Sequence, residues 1–488
     1  MQEVVISSVL IVLAFLGAVA AALGFAGALH FASRKKSVGY LHYVFYAILA
    51  TTSILIFFSK RDLSLSALNL PGVSDVARNP IASLTQRIST VLLIFVALER
   101  ILNYLSGRKK EMQPPPFLLS SFVLFWFGTV AATALFASHP QLSHEYGYTL
   151  ILGVAAALSS TYESHKILRA ARNGILIFVV IGLVLIPITP RLVIDMSYTQ
   201  GYIAGLPRFA GLSPHALTLG MLAQVSILIL WVHPFKNAKI NFLSYVVLIF
   251  VMVLAQSKTA LVSFFICSLC MVWVRHGNGL KKRFADANNP SFGILVVIVG
   301  MFALLGLGVA ILFGDMGQKI NRFIASDEGT QLVSLTGRDQ IWRIALEEWH
   351  RNPIFGYGPR LFDEAYRASV SMGNATHAHN QFVDTLARSG VIGEMSLVIY
   401  FIVLMVLSIR YAKTSGGLTI ALFITLAIRS ISEIPLTLFA YGPEFLLHML
   451  LLITLAGEAR KRQRSTYGVS MASFKYGQNF LLNESQRS

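Results

Sequence analysis

The sequence is poor in charged residues, and acidic residues are the scarcest of these. Asp, Glu, Lys and Arg together make up 13% of the 488 residues, whereas soluble domains carry about 25%. Hydrophobic residues reach 55%, and the mean hydropathy is +0.65. A helix that crosses a bilayer needs about 20 mostly apolar residues, and this sequence contains many such runs. The composition excludes an ordinary soluble protein and predicts an all-α, polytopic integral membrane protein.

Cysteine is almost absent as well. The two cysteines, Cys267 and Cys270, lie in one apolar run. Cys-x-x-Cys spacing indicates a redox pair when a βαβ pattern surrounds it, but no such pattern occurs here. We interpret both as small buried residues, which argues against a thiol-redox function.

The net charge of +17 would indicate nucleic-acid binding if the basic residues formed one patch. They are dispersed in short clusters between apolar runs, as the orientation of membrane helices requires. We therefore expect membrane lipid, and no nucleic acid, among the partners.

The apolar pattern predicts about 12–13 transmembrane helices and one large polar loop. The first apolar run is too long for the core of a signal peptide, so we interpret it as a true span. The segment 241–274 is either two short spans or one long broken helix. The predicted spans are 4–31, 38–58, 88–106, 117–138, 146–161, 174–194, 213–232, 241–256, 259–274, 291–314, 384–409, 417–438 and 441–457.

The distribution of Lys and Arg predicts the orientation. The linkers on one side, together with the C-terminal tail, hold 23 Lys and Arg residues. The opposite side holds about eight when the large loop is left out, so the richer side is cytoplasmic. The N-terminus and the loop are then periplasmic, and the C-terminus is cytoplasmic. The predicted regions are N-terminal helices (1–194), further helices with basic positions (195–314), the loop (315–383), C-terminal helices (384–457) and a basic tail (458–488).

Four cations fall on the outer half of the membrane, where orientation does not require them: Arg191, Arg208, Lys258 and Arg429. Charges at membrane depth are functional candidates by default. The alternative is that a long side chain snorkels to the interface, which we favour for Arg191 at a helix end.

The large loop is predicted to contain two short amphipathic helices on the membrane face. Thr336 is a candidate N-cap, Trp342 lies on the apolar face, and Asn352-Pro353 ends the first helix. A second helix is expected over 361–371. His377 and His379 then precede the next span, where they could exchange protons near neutral pH. This segment is the first candidate for chemistry.

The order of several short motifs resembles the O-antigen ligase and polysaccharide polymerase superfamily of bacterial membrane glycosyltransferases, over residues from about 200 to 440. The motifs are Arg208-x-x-Gly211-x-x-x-His215, Ser257-Lys258-Thr259-Ala260, Gly337-Arg338-x-x-Ile341-Trp342, Asn352-Pro353-Ile354-Phe355-Gly356-Tyr357-Gly358, and His379-Asn380 with Gly390 and Gly393.

The resemblance implies a fold of about a dozen helices in the bacterial inner membrane, with one large periplasmic loop. It implies transfer of a glycan from a polyprenyl diphosphate to an acceptor hydroxyl, without a metal or a nucleotide sugar. The loop histidine of the family corresponds to His379, and its two basic positions correspond to Arg208 and Lys258. Here Ser257-Lys258-Thr259 replaces the usual Ser-Arg-Gly of ligases, which favours exopolysaccharide repeat-unit polymerases.

The chemistry of this reaction suggests a role for each residue. Fixed cations stabilise a leaving diphosphate, so Arg208 and Lys258 would bind it, with help from Arg338. An acceptor hydroxyl needs a base, which would be His379. Asn380 or Asp384 would orient this histidine or hold the sugar, and one-step displacement would invert the anomeric configuration.

Other candidates take supporting roles. His377 is expected to be a neighbour of the base, and His215 to pack or bind near Arg208. Arg429 and Glu433 lie four residues apart on one helix face, where they form a buried ion pair or part of an acceptor groove. Acidic residues of the loop occur as adjacent pairs that face different ways on a helix, so we expect neither a metal nor another cofactor.

The sequence leaves three main functions open, besides an oligosaccharyltransferase that acts on protein Ser or Thr, which the lack of an obvious appended domain disfavours. The favoured one is a polymerase of lipid-linked repeat units, whose partners would include the donor, a glycan acceptor, a flippase and a chain-length regulator. A ligase that transfers glycan to lipopolysaccharide core is the first alternative. A lipid-linked oligosaccharide flippase or transporter is the second, but transporters usually show paired halves with internal symmetry, which we do not find.

Overall fold

The computed structural model describes residues 39–59, 61–63, 79–105, 115–196, 205–284, 338–372 and 375–462, with a few isolated positions outside these ranges. The helices of the first half are α1 (Tyr43–Phe58), α2 (Pro80–Leu105), α3 (Pro116–Trp126), α4 (Ala132–Phe136), α5 (Tyr146–Ala157), α6 (Thr161–Val184) and the single turn α7 (Pro190–Val193). Those of the second half are α8 (Ala216–Val232), α9 (Ala238–Leu254), α10 (Lys258–Phe284), α11 (Arg338–Arg351), α12 (Glu364–Ser369), α13 (Gln381–Arg410), α14 (Leu418–Ser432) and α15 (443–462).

The fold is all-α, as predicted, and it is that of a polytopic membrane protein. Among the residues that the structure describes, five helical stretches are long and apolar enough to cross a bilayer: Pro80–Leu105, Phe117–Phe136, Thr161–Val184, Lys258–Gly279 and Gln381–Arg410. Several shorter apolar helices pack among them. Two strands of two residues each, β1 (Ile194–Asp195) and β2 (Arg208–Phe209), pair antiparallel. The predicted spans 4–31 and 291–314 lie largely outside the described residues.

The predicted boundaries of the span 174–194 are wrong. Helix α6 begins at Thr161, so the predicted linker 162–173 is helical, and the helix already ends at Val184. Ser160 and Glu163 form a capping box, each side chain pairing with the backbone of the other residue. Two of the charged residues in the predicted linker, Glu163 and Arg172, are buried, and Glu163 pairs with Arg100 of α2 at 3.1 Å.

Two other predicted boundaries are wrong, and one alternative that the sequence left open is decided. Helix α2 begins at Pro80 rather than near residue 88, and α14 ends at Ser432 rather than near 438. The segment 241–274 is two helices, α9 and α10. Gln256 separates them with a φ of 48°, a left-handed conformation that interrupts a helix.

The long helix α13 is interrupted at Gly390, where φ is 62° and ψ is −166°. The break frees backbone groups that a helix would otherwise pair. Tyr357 N–H donates to the Ala387 carbonyl at 2.8 Å, and Val391 N–H donates to the Pro353 carbonyl at 2.9 Å. A Cβ at Gly390 would lie 2.3 Å from the backbone of Ile354. The glycine is therefore needed for the loop to dock against α13.

The described part of the large loop packs around its own small core. Helix α11 ends at Arg351, as the Asn352-Pro353 pair predicted. The second helix, α12, is shorter than expected because Asp363 caps it, accepting from Tyr366 N–H at 2.7 Å. The predicted cap Thr336 lies outside the described residues. Apolar side chains from both helices bury Ala378, which lies between the two candidate histidines.

Both cysteines are free thiols, as expected. Cys267 is buried where α8, α10 and α14 meet, beside a polar cluster in which Gln224 donates to Ser263 at 2.7 Å and to Thr425 at 3.0 Å. This cluster joins the three helices that carry or adjoin the predicted basic positions.

Candidate active site at the histidine loop

The two loop histidines converge on one buried carboxylate. His377 Nε2 lies 3.4 Å from Glu433 Oε2, and His379 Nδ1 lies 3.6 Å from the same oxygen. The rings stack obliquely with centroids 4.1 Å apart. His379 has a φ of 49°, which is uncommon for a residue with a side chain and often marks a functional site.

Hydrogen bonding distinguishes the two imidazoles. His377 Nδ1 accepts from the backbone N–H of His379 at 3.0 Å, so its proton is on Nε2, facing Glu433. Both of its nitrogens are therefore occupied. His379 Nδ1 lies just beyond hydrogen-bond distance of Glu433 and has no hydrogen-bond partner. The His379 side chain is 28% exposed, so it is the histidine that can meet a substrate.

Glu433 follows the last residue of α14 and is held as a carboxylate. Burial alone would raise its pKa, but His379, Arg429 and His377 together lower the pKa of Glu433 to about 2. Burial and the neighbouring His379 lower the pKa of His377 to about 4. At neutral pH the pair is thus an ionised glutamate beside an uncharged His377.

We expect acid to loosen this junction. The pKa of His377 lies below its ordinary 6.5 in the folded protein, so its contribution to stability is complete above pH 6.5 and declines toward pH 4. Glu433 acts in the same direction, with stability present above 4.5 and lost toward pH 2. Hydrogen exchange over 375–383 should be faster at pH 5 than at pH 7. Equal protection at both pH values would contradict the shift assigned to His377.

Asn380 and Asp384 build the loop and do not orient His379, so the first of their two predicted roles is wrong, and a role in holding the sugar stays a prediction. The Asn380 carboxamide oxygen caps α13, accepting from Phe382 N–H at 3.0 Å and Val383 N–H at 3.2 Å. Asp384 accepts from Ala378 N–H at 3.0 Å and pairs with Arg388 at 2.8 Å. The residue that faces His379 is instead Glu433.

Two hydrogen bonds place Glu433 beside the histidines. Asn380 Nδ2 donates to the Ile431 carbonyl at 3.4 Å, and Leu436 N–H donates to Gln381 Oε1 at 2.8 Å. These bonds flank Glu433 and attach the end of α14 to the start of α13. The sequence gives no signal for this contact, because the two segments are far apart in the chain.

The predicted ion pair between Arg429 and Glu433 is wrong. Arg429 forms a bidentate pair with Glu444, with a distance of 2.7 Å from Nε to Oε2, and also donates to the Leu217 carbonyl at 3.3 Å. Thr218 donates a further hydrogen bond to Glu444. The chain changes direction at Glu433, after the end of α14. Arg429 and Glu433 are therefore not neighbours on one face of a continuous helix.

The predicted diphosphate-binding residues lie on neighbouring segments. Arg208 is buried in β2, where its Nε donates to the Ala255 carbonyl at 3.1 Å, just before the break that precedes Lys258. Lys258 is exposed at the first position of α10. His215 caps α8 through Nδ1, which accepts from Leu217 N–H at 3.2 Å. It lies within electrostatic range of both Arg208 and Glu433, which connects the basic segment to the histidine loop.

Arg338 begins α11 and is partly exposed. One turn later, Trp342 donates from its indole N–H to the Ala378 carbonyl at 2.7 Å. Residues four apart share a helix face, so Arg338 is on the side of α11 that meets the histidine loop.

Arg61 is a half-buried structural cation that the sequence shows only as one of the outer-side charges. Its guanidinium donates to the Leu192 carbonyl at 3.0 Å, the Gly211 carbonyl at 2.7 Å, the Ser213 carbonyl at 2.7 Å and the Pro214 carbonyl at 3.1 Å. Burial lowers its pKa to about 10, so it remains protonated at neutral pH. Arg61 thereby holds the segment between Arg208 and His215.

The substitution Arg61→Lys should impair this segment although it keeps the charge. A lysine cannot reproduce the guanidinium fork, and each buried carbonyl left unpaired costs about 1–3 kcal/mol. We expect faster proteolysis near residues 208–215 than in the unaltered protein. The matched control is Arg191→Lys, since Arg191 is 79% exposed and only 3.8 Å from Asp62. Equal behaviour of the two variants would refute a positioning role for Arg61.

The site also contains a set of potential metal ligands. His377, His379 and Glu433 each offer one ligand atom, and these atoms lie within 4.8 Å of one another. Sequence reasoning considered only acidic pairs in the loop, and so could not find a set that combines two loop histidines with a distant glutamate.

The fold and the composition define an all-α membrane protein. A comparison with known families shows which family this chain is similar to. Residues 243–398, which are 156 of the 488, match a family model described as O-antigen ligase. The match confirms the resemblance to the O-antigen ligase and polymerase superfamily and supports a glycan-transfer enzyme. It includes Lys258, Arg338 and His379, whereas Arg208 and Glu433 lie outside it. No curated protein matches the chain.

Proposed function

We propose that this protein is an inner-membrane glycosyltransferase that polymerises polyprenyl-diphosphate-linked oligosaccharide repeat units at the periplasmic face. The observation that carries the proposal is the approach of His379 Nδ1 to within 3.6 Å of the Glu433 carboxylate, with His379 inside the residues 243–398 that match the O-antigen ligase model. The reaction is direct displacement, in which the acceptor oxygen bonds to the anomeric carbon as the lipid diphosphate leaves, inverting the configuration.

His379 is the base in this scheme. With a proton on Nδ1 facing the Glu433 carboxylate, its Nε2 has a free lone pair that can take the proton of the acceptor hydroxyl. The carboxylate stabilises the imidazolium that forms, as a negative charge favours the protonated state of a neighbour. His377 cannot replace it, because both of its nitrogens are already engaged.

The cations neutralise the leaving group. Lys258 is exposed at the N-terminus of α10, where the helix dipole also favours an anion. Arg208 donates to the carbonyl of Ala255, three residues before Lys258, and contributes positive charge to the same segment. Arg338 approaches from α11 on the side of the histidine loop. Arg429 is committed to Glu444, so we assign it a structural role and leave the diphosphate to Arg208, Lys258 and Arg338.

The experiment is reconstitution of the purified full chain with a lipid-linked repeat unit in the presence of a chelator. Lipid-linked glycans of increasing length are expected. Product that forms only when lipopolysaccharide core is added would identify a ligase instead. Donor that moves across the bilayer unchanged would identify a flippase and overturn the proposed transfer reaction.

A further inference from the structure

We propose that the end of the helix bundle opposite the histidine loop binds the phosphate headgroup of an anionic phospholipid. The site consists of three cations and two imidazoles, which we call the basic cluster: Arg169, Arg172, Lys461, His165 and His233. They come from α6, from the residue after α8 and from the end of α15. His233 lies within electrostatic range of the other four. The proposal does not depend on the glycan-transfer reaction.

The basic cluster lies at the membrane surface away from the proposed active site. Helix α13 starts at the histidine loop, and Thr414 lies in the turn that follows its far end. Lys461 Nζ donates to the Thr414 carbonyl at 3.3 Å. The start of α6 is joined to the same end of α15, because the Thr161 hydroxyl donates to the Gly457 carbonyl at 3.0 Å. The cluster is therefore on the side that the distribution of Lys and Arg predicts to be cytoplasmic.

Arg172 is a buried cation that pairs with no carboxylate in the part of the chain that the structure describes. Its guanidinium donates to Asn173 Oδ1 from two nitrogens, at 3.1 and 2.9 Å, and to the His233 carbonyl. The guanidinium carbon lies 3.6 Å from the centre of the Phe235 ring. These uncharged groups fix the direction of the side chain. They do not balance its charge, although buried charges are normally paired.

The other two cations are exposed. Within the described residues, Arg169 makes no hydrogen bond and no ion pair. Lys461 lies 3.8 Å from Glu458, the carboxylate that faces the cluster. Three permanent positive charges thus meet one carboxylate, and a surface with such an excess of one sign attracts the opposite charge.

The histidines are placed to respond to an anion. The rings of His165 and His233 meet edge to face, with centroids 5.1 Å apart. Burial, the His165 ring and the surrounding cations lower the pKa of His233 to about 4. A phosphate among these groups would act in the opposite direction, because a nearby negative charge favours the protonated imidazole. The imidazolium could then donate a charge-assisted hydrogen bond to a phosphate oxygen.

The surface beside the basic cluster favours a lipid over a free anion. Arg169 lies on α6, which is long and apolar enough to cross a bilayer. Val180 lies about three turns further along and so shares the face of Arg169. Val180 is exposed, as are the adjoining side chains of Ile177 and Val184. A phosphate held at Arg169 would place its acyl chains along this apolar face, as in other basic pockets between membrane helices that bind phospholipid headgroups.

Binding is measured on the purified full chain by native mass spectrometry, with dioleoyl-phosphatidylglycerol and dioleoyl-phosphatidylcholine as probes. These lipids have the same acyl chains, and one phosphatidylglycerol per chain should be retained in preference to phosphatidylcholine. Arg169→Gln should weaken this binding by about fivefold or more, the usual effect of one cation at a membrane surface. Adding Lys461→Gln should weaken it further.

The matched control is Lys282→Gln, which removes an exposed cation from the last turn of α10, outside the basic cluster. This variant should bind phosphatidylglycerol as the wild type does. Equal retention of the two lipids by the wild type would overturn the site. Equal affinity of Arg169→Gln and Lys282→Gln for phosphatidylglycerol would overturn it as well.

Thermal unfolding of the unaltered protein in nanodiscs supplies a second measurement, which is independent of whether the variants fold. Adding phosphatidylglycerol to phosphatidylcholine nanodiscs should raise the unfolding midpoint, because a ligand that binds only the folded state stabilises it. An equal rise with inorganic phosphate would assign the cluster to a free anion, and an equal rise with a Glu-rich peptide would assign it to an acidic protein partner. Either result, or no rise at all, would overturn the lipid site and leave the proposed transfer reaction unaffected.

Discussion

Replacing His379 with alanine is expected to reduce glycan transfer by about 10²–10⁴-fold, the usual contribution of a general base. The loss should appear in kcat, because the base acts on the acceptor hydroxyl in the transition state and not on donor binding. The variant should fold, since the side chain is partly exposed and its Nδ1 makes no hydrogen bond. The measurement is the initial rate of lipid-linked glycan elongation at saturating donor.

Two histidine variants make this result specific. His350→Ala removes an exposed histidine of α11 and should retain the wild-type rate. His377→Ala should lose less than His379→Ala, because His377 supports Glu433 and does not meet the substrate. A His379→Ala variant that elongates glycan at a near-normal rate would remove this residue from the mechanism.

Replacing Glu433 with glutamine is expected to cause a loss of similar size, about 10²–10⁴-fold, although the side chain keeps its shape. The new amide can donate a hydrogen bond to His379 Nδ1, which a carboxylate cannot do. The imidazole proton would then move to Nε2, where the lone pair is needed for the acceptor hydroxyl. In the proposed mechanism, Glu433 is thus a positioning residue that fixes the tautomer of the base.

Combining the two substitutions tests whether they act as one unit. A double variant of His379→Ala and Glu433→Gln should be no slower than either single variant, since parts of one catalytic device are non-additive. Glu364→Gln, an exposed glutamate at the start of α12, is the matched control and should be silent. Losses that multiply in the double variant would show that Glu433 acts independently of His379.

Long apolar runs predicted most of the helices, because a segment that crosses lipid must satisfy its backbone internally and so becomes helical. Residues 384–409 illustrate this, since the observed helix is Gln381–Arg410. The start of α6 was missed because its charged residues were interpreted as a water-exposed linker. Glu163 is buried against Arg100 of another helix, and a partner on another helix is not visible in a local pattern.

In the candidate site, too, the sequence predicts the local features but not the contacts between distant segments. The loop histidines were recognisable from sequence because two titratable rings precede an apolar run at a membrane surface. The partner of His379 was not, since helical spacing assigned Glu433 to Arg429. The end of α14 at Ser432 and the hydrogen bonds from Asn380 and to Gln381 turn Glu433 toward the histidines.

The sequence alone was enough to predict an all-α membrane protein that resembles O-antigen ligases over residues 243–398, with a polar histidine loop before a late helix. Apolar periodicity and short motifs are local properties, so they can be read without a structure. Only the tertiary structure decided that Glu433 faces His379, that Arg429 pairs with Glu444, and that Arg61 supports the Arg208 segment. Each of these contacts joins segments far apart in the chain, and packing alone selects the partner of a buried charge.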